Sequence, residues 1–182
     1  GKREYLLYVS RLEPENNAHV VIDAYANVRS QRPLLIVGDA PYPKEYIARL
    51  HSTTDKRVHF PGAIYGQGYR ELQSHPYLYV HATEVGGTHP ALIEAMGAGN
   101  CPVVFDTPEN REVVGDCGLY FTSAAELSAQ LQRALDQPAL VESYRAKAQA
   151  RIRATYSWDV ITDQYERLLD RKSTRLNSSH RT

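Results

Sequence analysis

Three kinds of group in this chain have the types and spacing to hold an anionic, hydroxyl-bearing ligand. The segment EVGGTHPALIEAMGAG, residues 84–99, runs Gly86, Gly87 and Thr88 straight into a helical pattern beginning at Pro90. Glycines let the backbone approach an anion closely, a Thr88 or His89 can cap the helix, and proline suits its first turn. Unpaired amides and the helix dipole at such a terminus favour negative charge. One turn on, Glu94 shares a side with the small residues Gly97 and Ala98, away from the apolar face of Ala91, Leu92, Ala95 and Met96. A carboxylate there has room to accept hydrogen bonds from sugar hydroxyls. Arg11 stands just past the first apolar run, where a guanidinium can clamp a phosphate with two parallel hydrogen bonds. The plain alternatives are a simple turn at Gly86-Gly87, a solvated acid at Glu94 and a surface arginine paired with Glu13 or Glu15.

The elements that would position these groups follow from hydrophobic patterning. Short apolar runs at 5–9, 34–37, 57–60, 78–82, 102–105 and 119–121 read as strands. Helices are predicted near 17–30, 44–53, 68–74, 90–98 and 109–114, then at 124–136, 138–154 and 158–171. Nearly continuous apolar strands alternating with helices predict an α/β fold, a doubly wound parallel sheet in a Rossmann-like lobe, followed by C-terminal helices. In such a sheet ligands bind beyond the carboxyl ends of the strands. The segments there are SRLEPENN, GDAPYP, PGAIYGQG and TEVGGTHP. Asn16 or Asn17 is expected to cap the helix after the first strand.

Composition narrows the function classes. The chain has 182 residues, enough for one ordinary domain, and equal numbers of basic and acidic residues, 21 each. Residues 171–182, RKSTRLNSSHRT, hold four basic residues and no acid, so the remainder carries 17 basic against 21 acidic residues. That tail resembles translated vector sequence and is set apart from a lobe spanning 1–170. A mildly acidic body lacks the clustered positive face that nucleic acid needs, so no nucleic-acid partner is expected. Cys101 and Cys117 form neither a disulfide framework nor a zinc motif, which fits a reducing cytoplasm. No apolar run is long enough for a membrane span. The chain opens directly on a strand, which predicts a fragment whose other half lies upstream.

Taken together, YVSRLEPENN, LLIVGDAP, VHFPGAIY, EVGGTHPALIEAMGAGNCPVVFDTPENREVVGDCGLYF and YSWDVITDQYERLL resemble the C-terminal, nucleotide-sugar-binding half of family 4 GT-B glycosyltransferases. The likeness is greatest to bacterial rhamnosyltransferase-like members and covers nearly all of 5–170. It implies transfer of a sugar from a nucleoside-diphosphate sugar with retention of configuration, in bacterial polysaccharide or glycan synthesis. By position, the resemblance gives Arg11, with Glu94, the catalytic roles: Arg11 holds the donor diphosphate and Glu94 hydrogen-bonds the ribose. It places Asn16, Gly86, Gly87 and Thr88 at the diphosphate and Phe60, Gly62 and Ile64 along the nucleobase. Glu84, His81 and His89 are its candidates for donor-sugar contacts. Many members carry a lysine where this chain has Asn16, and a further glutamate where it has Gly86. The resemblance also implies a missing N-terminal acceptor-binding lobe, through which the protein would associate peripherally with a membrane. The chain alone would be inactive, and the last helix would cross toward that lobe.

No cofactor or metal is called for, since no D-x-D motif follows a strand and no H-x-x-x-H pair lies on one helix. A nicotinamide dehydrogenase would need G-x-G-x-x-G after the first strand, and a P-loop enzyme G-x-x-x-x-G-K-[ST]; both are absent. Gly66-Gln67-Gly68 follows a different strand and lacks the third glycine. Two rival functions stay open: a sugar-nucleotide epimerase of the same architecture, and a nucleotide-sugar-binding module without turnover.

Overall fold

Six four-residue-scale apolar runs pair edge to edge in a single parallel sheet: β1 Leu6–Val9, β2 Leu34–Val37, β3 Val58–Gly62, β4 Leu78–His81, β5 Pro102–Phe105 and β6 Leu119–Phe121. The structure is a computed structural model that describes residues 3–87, 89–157, 159–163 and 165–169. The strand order is β3-β2-β1-β4-β5-β6. Between and after the strands lie α1 Ala18–Ala26, α2 Lys44–His51, α3 Gly66–Ser74, α4 Pro90–Gly97, α5 Pro108–Val114, α6 Ala124–Asp136 and α7 Pro138–Thr155. This is the doubly wound α/β arrangement that the alternation predicts. Residues 159–163 and 165–169 are helical, within the last predicted helix, and the tail from 171 onward lies outside the described residues.

Strand side chains alternate between two cores, as the two-residue period requires. Leu6, Tyr8, Leu34, Ile36, Leu78 and Val80 face one side, with Val21, Tyr25, Leu127 and Leu131 from α1 and α6. Leu7, Val37, Tyr79 and Val104 face the other, with Leu92 and Met96 from α4 and Ile152 from α7. The central strands are therefore dry on both faces, and their carboxyl edge is what remains open to ligand.

Local chemistry sets several boundaries. The Thr107 hydroxyl accepts from Asn110 N at 3.2 Å to start α5, and the Ser123 hydroxyl accepts from Glu126 N at 3.2 Å to start α6. Helix α1 stops at Ala26 rather than near 30. The Arg57 guanidinium captures the carbonyls of Val28 at 2.7 Å, Ser30 at 2.8 Å and Tyr25 at 3.1 Å, which a continuing helix would use. Helix α3 starts at Gly66, two residues earlier than predicted.

The capping expected of Asn16 or Asn17 is not made. Asn17 occupies the N-cap position of α1 in a left-handed conformation (φ 58°), with no side-chain cap bond. Its amide nitrogen instead donates to Ala82 O at 3.0 Å and to Glu84 Oε1 at 2.8 Å, just past the end of β4. Asn16 ends a 3-10 turn, Pro14–Asn16, rather than opening the helix.

Candidate functional site

Strand order reverses between β1, which leads out to β2, and β4, which leads out to β5. At such a switch point the loops after the two strands diverge and leave a crevice. A cavity of about 560 Å3 opens there, a size suited to a small-molecule ligand. The loop after β1 contributes Ser10, Arg11 and Asn16, and the end of β2 contributes Gly38 and Asp39. The far wall comes from Ile64 and Tyr65 beyond β3, and from His81, Thr83, Gly86, Gly87 and His89 at the end of β4 and the start of α4.

Close approach of the β1 and β2 ends is what gives this crevice a floor. Gly38 has φ 150°, and a Cβ there would sit 1.8 Å from Ser10 O, so the floor admits no side chain. On the opposite wall Gly86 has φ 137°, and a Cβ would fall 2.8 Å from His89 Cε1. The absent side chain makes room for the imidazole.

Arg11 lines the cavity with a side chain 77 % exposed, in an ion pair with Glu13 at 3.3 Å. An exposed pair of this kind holds its arginine weakly, so a diphosphate can compete for it. Asn16 fastens the Arg11 loop. Its Nδ2 donates to Arg11 O at 2.8 Å, its Oδ1 accepts from Thr83 Oγ1 at 3.1 Å, and its carbonyl accepts from the Tyr8 hydroxyl at 2.6 Å. Asn110 Nδ2 donates in turn to Thr83 O at 3.3 Å and Phe105 O at 2.9 Å. The ends of β1, β4 and β5 are thus tied by one buried amide network.

Glu94 lies on an adjoining cavity of about 510 Å3, with Gln73, Arg70 and Ala98. Gly66 and Tyr69 line both cavities and form the sill between them. The Tyr69 hydroxyl donates to Glu94 Oε2 at 2.7 Å and accepts from Gln73 Nε2 at 2.7 Å. Burial, reinforced by the bond to Glu94, pushes the Tyr69 phenol well above its ordinary range, so it stays a donor.

His81 and His89 meet at the base of the first cavity, ring centres 4.6 Å apart. His81 is 4 % exposed, and its Nε2 has no hydrogen-bond partner. Burial, together with the neighbouring His89, pulls its pKa down to about 3, so it is neutral at ordinary pH. His89 holds the N-cap position of α4 without a side-chain cap bond.

Several predicted site residues fall elsewhere. Phe60 packs with Val58 in the α1-side core and tilts against His51, 4.3 Å between ring centres, as strand alternation places it. Neither Phe60 nor Gly62 lines the cavity, whereas Ile64 does. Glu84 is turned to Asn17 and is not among the lining residues. Thr88 lies outside the described residues. Sequence reasoning missed Ser10, Asp39, Tyr65 and Tyr69. Tyr65 is 84 % exposed at the cavity mouth, and its position just past β3 was the available signal. Among the described residues no three His, Cys, Asp or Glu side chains are grouped to hold a metal ion, and no helix is long and apolar enough to cross a membrane.

Residues 3–137 match the family described as Glycosyl transferases group 1. The chain belongs to that family. A search of curated proteins finds none that matches this group 1 chain. Among solved structures it is similar to Anabaena Alr3699/HepE in complex with UDP-glucose, at 22 % identity and a TM-score of 0.83, covering 92 % of this chain and 49 % of that one. It also resembles sucrose-phosphate synthase from Thermosynechococcus elongatus, at 21 % identity, TM-score 0.81, 95 % of this chain and 46 % of that one. A third likeness is to the pneumococcal O-GlcNAc transferase GtfA in complex with UDP and GlcNAc, at 18 % identity, TM-score 0.73, 93 % of this chain and 36 % of that one. At these identities the likeness establishes the fold, a Rossmann-like lobe of the GT-B type. The chain spans about half the length of these proteins or less.

Proposed function

We propose that this chain is the donor-binding half of a retaining glycosyltransferase, of the family 4 and rhamnosyltransferase-like kind, acting in the cytoplasm in bacterial polysaccharide or glycan synthesis. The observation that carries the reading is that the two cavities adjoin, with Gly66 and Tyr69 lining both. Arg11, Gly86-Gly87 and the α4 N-terminus line one cavity and the Glu94 carboxylate lines the other, so a nucleoside diphosphate spanning their shared sill has an anion end and a ribose end. Group 1 membership supports a transferase over an epimerase or a binding module.

In this reading the diphosphate is the leaving group, and Arg11 with the helix terminus stabilises the charge that develops on it. Gly86 and Gly87 present backbone amides, Glu94 accepts from the ribose, and Ile64 with Tyr65 borders the nucleobase. Asn16 acts on the diphosphate through the Arg11 loop that it fastens. Thr88, His81, His89 and Glu84 remain candidates for donor contact. The scheme uses no metal or other cofactor. The functional lobe is residues 1–170, and 171–182 has no part in it. Acceptor binding falls to an N-terminal lobe, which also provides any peripheral membrane contact, since transfer requires the acceptor to be held against the donor and water excluded.

The chain alone should therefore bind a nucleoside diphosphate or nucleotide-sugar weakly, at high micromolar to millimolar Kd (about −4 to −6 kcal/mol), and transfer no sugar. Titration with UDP, GDP and dTDP, and with the matching nucleosides, tests this. Arg11→Ala should weaken the diphosphate far more than the nucleoside. Equal weakening of both would mean that Arg11 shapes the fold, and acceptor-dependent sugar transfer by the chain alone would contradict the division of labour.

A further inference from the structure

The charge inventory of the first cavity is short of what a diphosphate requires. Among the described lining residues Arg11 is the permanent cation, Asp39 is an acid, and the only other groups able to gain positive charge are His81 and His89. Their rings are 4.6 Å apart and tilted by 54°, so a proton on one opposes a proton on the other. His81 is sealed at 4 % exposure and stays neutral. His89 is half-buried at the α4 N-cap, makes no side-chain cap bond, and is boxed by the bare backbone of Gly86.

The groups facing His89 act in opposite senses. Burial holds its pKa below the ordinary value, while the Glu109 carboxylate on α5 favours the protonated form. His81, on β4, is neutral and contributes no charge. The positive end of the α4 dipole further disfavours a cation at this position as long as no anion is bound. An arriving diphosphate reverses that balance, in a cavity where charge interactions are stronger than in water.

Resting on the reading of this groove as a nucleoside-diphosphate site, we propose that His89 is neutral in the empty cavity and takes up a proton when the diphosphate binds, serving as the second cation beside Arg11. Donor binding is then coupled to pH through one imidazole, and His81 is the neutral spacer that keeps the pair singly charged. Coupling is reciprocal, so a proton that binds more tightly with ligand present also tightens the ligand by the same factor. The sign follows: affinity rises as pH falls from the His89 pKa of the complex toward that of the free protein, and levels off below it.

The test is calorimetric titration of the 182-residue chain with UDP, GDP and dTDP at pH 7 in PIPES and in Tris, which differ in ionisation heat, with uridine as the control. The tightest diphosphate should take up about half a proton or more in wild type beyond the uptake in His89→Asn. At pH 6, His89→Asn should bind that diphosphate about tenfold more weakly, with the nucleoside unchanged, as expected for loss of one charge-assisted hydrogen bond. If the variant does not fold, NMR titration of the His89 Cε1–H in wild type gives the answer directly, its midpoint rising on addition of the diphosphate. Equal proton counts in variant and wild type, or an unmoved midpoint, would overturn the inference and leave the nucleotide site standing. Absence of diphosphate binding at every pH would overturn both.

Discussion

The Tyr69 hydroxyl donates a 2.7 Å hydrogen bond to Glu94 Oε2 and so joins helix α3 to helix α4 across the groove. Gln73 Nε2 donates to the same phenolic oxygen at 2.7 Å, which fixes the direction of the Tyr69 proton toward the carboxylate. An acid on an exposed helix face would ordinarily sample many rotamers. This one is held at the lip of a cavity, with one oxygen engaged and the other oriented by that bond.

Glu94→Ala should weaken nucleotide binding by about 1–3 kcal/mol, the scale of a hydrogen bond to a charged group. Tyr69→Phe should cost less, about 1 kcal/mol, because it frees the carboxylate without removing it. Isothermal titration with the preferred nucleotide reads both. Full affinity in a folded Glu94→Ala protein would remove the ribose role.

Gly38→Ala should destabilise the fold by about 3 kcal/mol or more. The new methyl group meets Ser10 O at 1.8 Å in a backbone conformation unsuited to L side chains, and the obstacle is backbone, which cannot rotate away. Urea denaturation measures the loss, and an unchanged midpoint would show that the ends of β1 and β2 can separate freely.

His81 makes stability depend on pH in a calculable direction. Its pKa is about 3 in the fold, against 6.5 for an ordinary histidine. The unfolded chain takes a proton as pH falls through 6.5, while the folded chain does not until about 3, so stability present above 6.5 is lost between those values. The slope is about 1.4 kcal/mol per pH unit for this group. His81→Phe should show a shallower fall between pH 6.5 and 4, with a residual slope from His19 and His89, whose pKa values are also lowered by burial. Identical slopes in wild type and variant would contradict the burial argument.

Five of the strands were legible because each is a short apolar run whose residues face two dry cores, whereas β3, with His59 and Pro61 exposed, was read from its Val58 and Phe60 alternation. That Arg11, Gly86 and Gly87 line the cavity was legible because a switch point can be inferred from element order alone, while Ile64 follows only from the resemblance. The hydrogen bond of Tyr69 was not legible. Its partner is 25 residues away, and only packing of α3 on α4 brings the two together. The resemblance places Phe60 along the nucleobase, but strand alternation turns its ring toward His51 of α2. Asn17 shows the same limit, since its side-chain amide is held by acceptors just past β4, 65 and 67 positions away, and makes no cap bond to the helix.

The central claim is that one nucleotide-sugar lies along both cavities, and a crystal structure of the chain with the tightest binder among UDP-, GDP- and dTDP-glucose tests it most directly. The expected result is a diphosphate within hydrogen-bond distance of the Arg11 guanidinium and of the Gly86-Gly87 amides, with the ribose hydroxyls on Glu94. A nucleotide bound with its ribose away from Glu94, or seated on a face remote from the β1 and β4 ends, would contradict the account.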